Sequence, residues 1–183
     1  GRLLCITGSR NMPGACLLST QAALRGGAGL VTVATAPENP MRLAAAAPEA
    51  MWLPLETDEA GFLRSSDQNR KTLEKQLSRA NAVLLGCGLG VTEETRRLVH
   101  WVLEQAVCPV VLDADGLNCA VSCIELSRRT GKDWILTPHP GEMARLTGRS
   151  IPQIQENRVE TATQFAAAYP VTLALKGAGT LVA

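Results

Sequence analysis

Only two histidines occur in 183 residues, and charge is nearly balanced, with 18 Lys and Arg against 17 Asp and Glu for a formal net charge of +1. Such a balance leaves no electrostatic footprint for nucleic acid or an anionic membrane surface as partner. The adjacent basic pairs Arg96-Arg97 and Arg128-Arg129 are expected on solvated helix faces. No apolar run approaches the roughly 20 residues of a membrane span, and no secretory n-region and h-region opens the chain. A soluble, cytoplasmic protein is expected. Six cysteines are present, none in a Cys-x-x-Cys pair. Cys5, Cys16, Cys87 and Cys108 lie in apolar or Gly-rich surroundings, while Cys119 and Cys123 have no histidine nearby to complete a metal site. They read as reduced, buried thiols. Also absent are the G-x-G-x-x-G dinucleotide fingerprint and a Walker lysine.

What is present is 46% apolar residues with 19% charged ones, enough for a sizeable core in one domain, residues 1–183, or part of a larger one. Strand-like and helix-like segments alternate. Strands are expected at Leu3–Thr7, Leu30–Ala34, Met51–Leu55, Ala82–Leu85, Pro109–Leu112, Trp134–Leu136 and Val171–Leu175, with Thr180–Val182 turning back as a hairpin partner. Helices are expected over Gly14–Arg25 with Ala15, Leu18, Ala22 and, as an option, Leu24 towards one side, over Asn39–Ala47, Gln68–Arg79 and Thr92–Gln105, over Gly141–Leu146, and over Ile151–Ala168 as one element. Gly26-Gly27 suits a left-handed cap. The alternation predicts an α/β fold, a mostly parallel sheet with helices on both faces. Both chain ends fall inside strand-like patterns, so a fragment, incomplete at its C-terminus, is expected.

Four segments carry chemistry. Gly86-Cys87-Gly88-Leu89-Gly90 lies between a strand and a helix, where glycines let backbone amides approach a phosphate or a flat ring, or merely form a tight turn. Gly8-Ser9-Arg10 with Gly14-Ala15 is a second amide-rich turn, in which small Ala15 leaves room for a flat group. Asp113 and Asp115 follow a buried strand in a loop that also holds Asn118; alternation sends the two carboxylates the same way, suiting hydrated magnesium, a polar substrate clamp, or a helix cap. His139 stands between Pro138 and Pro140, a stiff setting for an imidazole that would hydrogen-bond or stack on a ligand. Glu142 would cap the following helix or reach the site through water. His100 reads as structural. Lys176, with Gly177, Ala178, Gly179 and Thr180 after it, supplies charge and close backbone approach for a phosphate or adenine, or is a solvent-facing hairpin lysine.

In order and spacing, these segments resemble the C-terminal catalytic domain of ADP-dependent NAD(P)H-hydrate dehydratase, in the ribokinase-like superfamily. The resemblance rests on Gly14-Ala15, Ala23 to Val33, Leu85 to Gly90, Asp113 to Asn118, Thr137 to Glu142 and Leu175 to Thr180. It implies a nucleotide-repair lyase that restores hydrated NADH or NADPH at the expense of ADP or ATP, with Mg2+, by phosphorylating the substrate hydroxyl and eliminating phosphate. It also implies that Ala15, the Gly86–Gly90 turn and His139 contact the hydrated nucleotide, joined by Asp113 and Asn118, and that Lys176 to Thr180 line the adenine-nucleotide site. A homo-oligomer, as a tetramer, is a further implication. Cys87 stands where the family has proline. The family's Gly-Asp segment, which supplies its acid/base aspartate, is expected beyond Ala183, so no catalytic residue is assigned and no metal ligand is firm, Asp115 and Glu142 being options through water. A small-molecule kinase of the same fold and a non-catalytic nucleotide-binding fragment are the alternatives.

Overall fold

The computed structural model describes residues 1–125, 127–128 and 133–183. Among them, eight strands form one sheet: β1 (Arg2–Ile6), β2 (Leu30–Thr35), β3 (Met51–Pro54), β4 (Ala82–Leu85), β5 (Val110–Leu112), β6 (Trp134–Leu136), β7 (Val171–Leu175) and β8 (Leu181–Val182). Their order is β3-β2-β1-β4-β5-β6-β7-β8. All neighbours through β7 are parallel, and β8 returns antiparallel along β7. The chain steps outward from β1 to β3, then begins again at β4 on the other side of β1. That reversal sets the carboxyl ends of β1 and β4 side by side, the position at which open α/β sheets hold ligands.

Both faces of the first strands are buried, because alternate residues of β1 point to different cores. Leu4 and Ile6 join the large core with Leu73 and Leu77 of the helix Asp67–Leu77 and Leu98, Val99 and Val102 of the helix Glu93–Gln105. Cys5 joins a smaller core with Val31, Val33 and Cys16 of the helix Pro13–Arg25. Strands β4 to β6 bury one face completely and the other only partly, at Leu84, Val111 and Ile135. Helix starts follow their capping chemistry. Thr92 and Thr95 exchange hydrogen bonds of 3.1 and 2.8 Å, and Ser66 and Ser150 accept from the amides of Asn69 and Gln153.

The expected elements are largely present, with four differences. The first helix buries Cys16 and Thr20 and leaves Leu18 69% exposed; the tight β1 turn, in which a Cβ on Gly8 would lie 2.5 Å from that of Cys16, sets which face turns inward. The Ala-rich segment is α-helical only over Asn39–Leu43 and tightens to a 3-10 turn over Ala44–Ala46. The expected helix over Ile151–Ala168 is two, Ile151–Glu156 and Arg158–Ala168, broken where Asn157 adopts φ −127° and ψ 49°. Asp115 and Asn118, expected in a loop, lie in the short helix Asp115–Ala120. Of the basic pairs, Arg97 bonds Glu93 and Glu94 on a solvated face. Arg128 instead donates to Ala168 O at 2.9 and 2.7 Å, at a helix C-terminus that favours a cation; Arg129 lies outside the described residues. None of the six cysteines is in a disulfide, and five of them are buried.

Candidate active site

Two turns meet at the reversal of strand order. The amides of Gly8 and Ser9 donate to Cys87 O at 2.9 Å and Gly88 O at 2.6 Å, which ties the β1 turn to the β4 turn. Gly88 needs its missing side chain, since a Cβ there would lie 2.8 Å from Ala15 Cβ. Ala15 therefore packs against the glycine turn at the start of the helix Pro13–Arg25. Behind the β1 turn, buried Asn39 donates to Thr35 Oγ1 at 2.8 Å and to Ser9 O at 3.2 Å. Phe62 closes the far end, its ring filling the space beside Gly90.

The next three strand ends converge on one carboxylate. Asp113, just after β5, accepts at Oδ1 from Lys176 Nζ at 2.7 Å and from Thr137 Oγ1 at 2.7 Å. Its Oδ2 faces the Cys87 thiol at 3.7 Å. Burial pushes the Asp113 pKa up, but the Lys176 and Thr137 donors outweigh it and hold the carboxyl below its ordinary 3.8. Burial, then the Asp113 charge, push the Cys87 thiol up to about 12, so it is protonated and a poor nucleophile at neutral pH. Lys176 also lies 3.9 Å from Glu142 Oε2, and Glu142 Oε1 is 3.3 Å from His139 Nε2. His139, Glu142, Lys176, Asp113 and Thr137 thus form one continuous polar row across β5, β6 and β7.

Two expectations about this row change. Asp113 and Asp115 do not act as a pair. Ala114 between them adopts φ 51° and ψ −120°, which breaks the alternation and sends Asp115 Oδ2 to the amide of Gly90 at 2.8 Å. His139 is the N-cap of the helix Pro140–Thr147, accepting at Nδ1 from Gly141 N at 3.0 Å, while Glu142 Oε2 accepts from His139 N at 2.8 Å. The capping role expected of Glu142 is thus paired with a second one for the histidine, whose ring is still half-exposed. Asn118 is engaged as well, its Oδ1 accepting from Arg145 at 3.0 Å.

Ala114 is the sole non-glycine residue with positive φ among the described residues. Ala114→Gly is expected to raise stability by about 0.5–1 kcal/mol by relieving that strain. A thermal melt checks this, and an unchanged or lower midpoint would show the position to be unstrained.

After β7, the Lys176–Gly179 loop is shaped by a residue that composition and spacing alone did not single out. Arg158, at the start of the helix Arg158–Ala168, donates to Ala178 O at 3.0 Å, Leu175 O at 3.2 Å and Gly179 O at 3.0 Å. With these carbonyls turned onto the guanidinium, Gly177 (φ +156°) and Gly179 (φ +73°) take the backbone round an open bend, and Thr180 is exposed beside it. Thr137 and Phe62 also escaped notice as individual residues. Thr137 sat inside the proline–histidine segment, where the stiff imidazole and Glu142 stood out; nothing in the sequence links Phe62 to Gly90.

The profile of the NAD(P)H-hydrate dehydratase family matches residues 3–183. The chain is 39% identical over 183 residues to the bifunctional NAD(P)H-hydrate repair enzyme Nnr of Moorella thermoacetica, covering 100% of this chain and 34% of that protein. It therefore spans about a third of that relative's length. The ADP/ATP-dependent NAD(P)H-hydrate dehydratase of Bacillus subtilis, co-crystallised with ATP/Mg2+, superposes with a TM-score of 0.76 at 32% identity, over 100% of this chain and 60% of that one. A ribokinase-like superfamily protein of Enterococcus faecalis gives 0.79 at 25% identity, over 100% and 59%. With a ribokinase-like sheet, glycine turns at its reversal point and a profile match spanning nearly every residue, the chain belongs to the NAD(P)H-hydrate dehydratase family.

Proposed function

We propose that this chain forms the substrate and nucleotide walls of an enzyme that restores hydrated NADH or NADPH with ADP or ATP as phosphoryl donor. The observation that carries this reading is the polar row from His139 to Asp113 beside the glycine turn that packs on Ala15, all at the carboxyl edge of the sheet. The hydrated nicotinamide nucleotide would lie over Ala15 and the Gly86–Gly90 turn with His139 at its edge. The adenine nucleotide would lie along Lys176–Thr180, where the ammonium meets its phosphates. Phosphorylation of the substrate hydroxyl turns a poor leaving group into phosphate, whose departure with a proton regenerates the conjugated dihydronicotinamide. The row's part is to bind, to orient and to place positive charge where phosphate charge develops.

Magnesium would arrive on the nucleotide phosphates with water as its other ligands. The described residues do not form a site of their own for it. No three ligating side chains gather among them, Asp115 and Glu142 accept from backbone amides, and the Lys176 ammonium lies within 2.7 Å of Asp113 and 3.9 Å of Glu142.

The direct test supplies the intact protein with hydrated NADH, magnesium and ADP or ATP, and follows recovery of reduced-nicotinamide absorbance. Phosphorylation of a stable vitamin or sugar alcohol without that recovery would favour a kinase. Binding of both nucleotides without turnover would favour a non-catalytic module.

His139→Asn separates the two roles of the histidine. Asn is an excellent N-cap, so stability should stay within about 0.5 kcal/mol. Loss of the ring should weaken binding of the hydrated cofactor by about tenfold, the size of one lost hydrogen bond or stack. Unchanged affinity in a fluorescence titration would leave His139 with the cap alone.

A further inference from the structure

Asp113 is the point where this site contradicts simple electrostatics. A nucleoside diphosphate or triphosphate is a polyanion, yet an ionised carboxylate lies 2.7 Å from the lysine ammonium placed to meet it. Like charges repel, so Asp113 opposes ground-state binding of that ligand. Its contribution must come from where it holds the ammonium once the ligand is in place. The side-chain geometry supports this. Thr137 Oγ1 shares Asp113 Oδ1 with Lys176, and the Thr137 amide donates to Leu112 O at 3.1 Å, which fixes the carboxylate against β5 and β6. Among the described residues, the remaining oxygen faces only the Cys87 thiol, at 3.7 Å. Glu142, the other carboxylate near Lys176, already accepts from the His139 amide and stands farther away at 3.9 Å.

Resting on the nucleotide-dependent reading above, we infer that Asp113 is a positioning residue: it holds the Lys176 ammonium for the transferring phosphoryl group and in exchange weakens the resting affinity for the nucleotide. The ammonium is tethered by one of its N–H groups and has two left for phosphate oxygens. A tethered ammonium keeps one position through the reaction, whereas a free lysine would follow the ground-state phosphates. Only an interaction stronger in the transition state than in the bound ground state raises turnover.

This role separates affinity from rate, which a merely structural role does not. In the intact protein, Asp113→Asn should bind ADP about threefold to tenfold more tightly, as expected on removing one screened like charge. Its kcat for hydrated NADH should fall by about tenfold or more, typical of a lost positioning contact. Calorimetric ADP titration in metal-free buffer gives the first quantity, and recovery of absorbance at saturating nucleotide gives the second. Weaker ADP binding together with lower kcat would make Asp113 structural and overturn the inference, as would an unchanged kcat. If Asp113→Asn does not fold, Thr137→Val carries the test, because it loosens the same carboxylate without changing charge. Its kcat should fall by about threefold with ADP affinity unchanged, and equal loss in both would overturn the inference. Failure of the unaltered protein to bind ADP or ATP at all would instead overturn the nucleotide-dependent reading itself, and this inference with it.

Discussion

Gly86→Ala is expected to destabilise the protein by about 4 kcal/mol or more, a large share of the stability of an ordinary domain. Gly86 sits at φ +133°, and a Cβ there would lie 2.0 Å from Asp113 O and 2.4 Å from Gly116 N. Both contacts are backbone, so no rotamer change relieves them. The ends of β4 and β5 would have to part, breaking the bond from Asp113 N to Leu85 O at 3.2 Å and displacing the carboxylate that meets Lys176. Gly116 faces the same gap from the other side, its own Cβ falling 2.3 Å from Leu85 O. Gly179→Ala is the control, since its φ is +73° but no atom lies within 4 Å; it should cost about 1 kcal/mol. Denaturant unfolding distinguishes them. Equal stability of the two variants would mean that the strand ends are not in the close contact described.

Arg158→Ala is expected to destabilise by about 2–3 kcal/mol and to weaken adenine-nucleotide binding by about a hundredfold, because charge-assisted bonds to several carbonyls are lost together. The guanidinium holds Leu175, Ala178 and Gly179 through their oxygens and lies 3.4 Å from Lys176 O as well. Without it those carbonyls turn back to water, and the bend loses the contacts that hold it. Arg158→Lys should recover little, since one ammonium cannot span the fork. Hydrogen exchange across residues 175–180, read beside a nucleotide titration, tests both halves. Undiminished protection of those amides in Arg158→Ala would show that the loop keeps its shape unaided.

Much of this architecture was legible in the sequence. Apolar runs such as Ala82–Leu85 and Val171–Leu175 ended in glycine or lysine, and period and punctuation agreed on strands alternating with helices. The short-range chemistry at Thr92 and at His139-Pro140-Gly141-Glu142 was legible too, because a cap involves neighbours in the chain. Long-range chemistry was not. That Asp113 would meet Lys176 rather than act with Asp115 depends on the backbone reversal at Ala114 and on β7 lying two strands away. Arg158 gave no signal because its partners are carbonyls, which every residue carries. Leu18 was misassigned because periodicity gives an amphipathic helix its faces without saying which neighbour crowds which face.

The position of β1 has a consequence for how the chain is made. Leu3 pairs with Val31 on one side and with Ala82 on the other. During synthesis, β1 gains β2 as a neighbour early and then waits, with its other edge open, until the whole β3 excursion and the helix Asp67–Leu77 have left the ribosome. Parallel pairing across such separations closes slowly and leaves apolar strand edges available to other chains. A nascent chain halted before Ala82 would therefore present the future centre of the sheet as an adhesive edge. Its yield in the cell should depend on chaperone capacity during that interval more than on the stability of the finished fold.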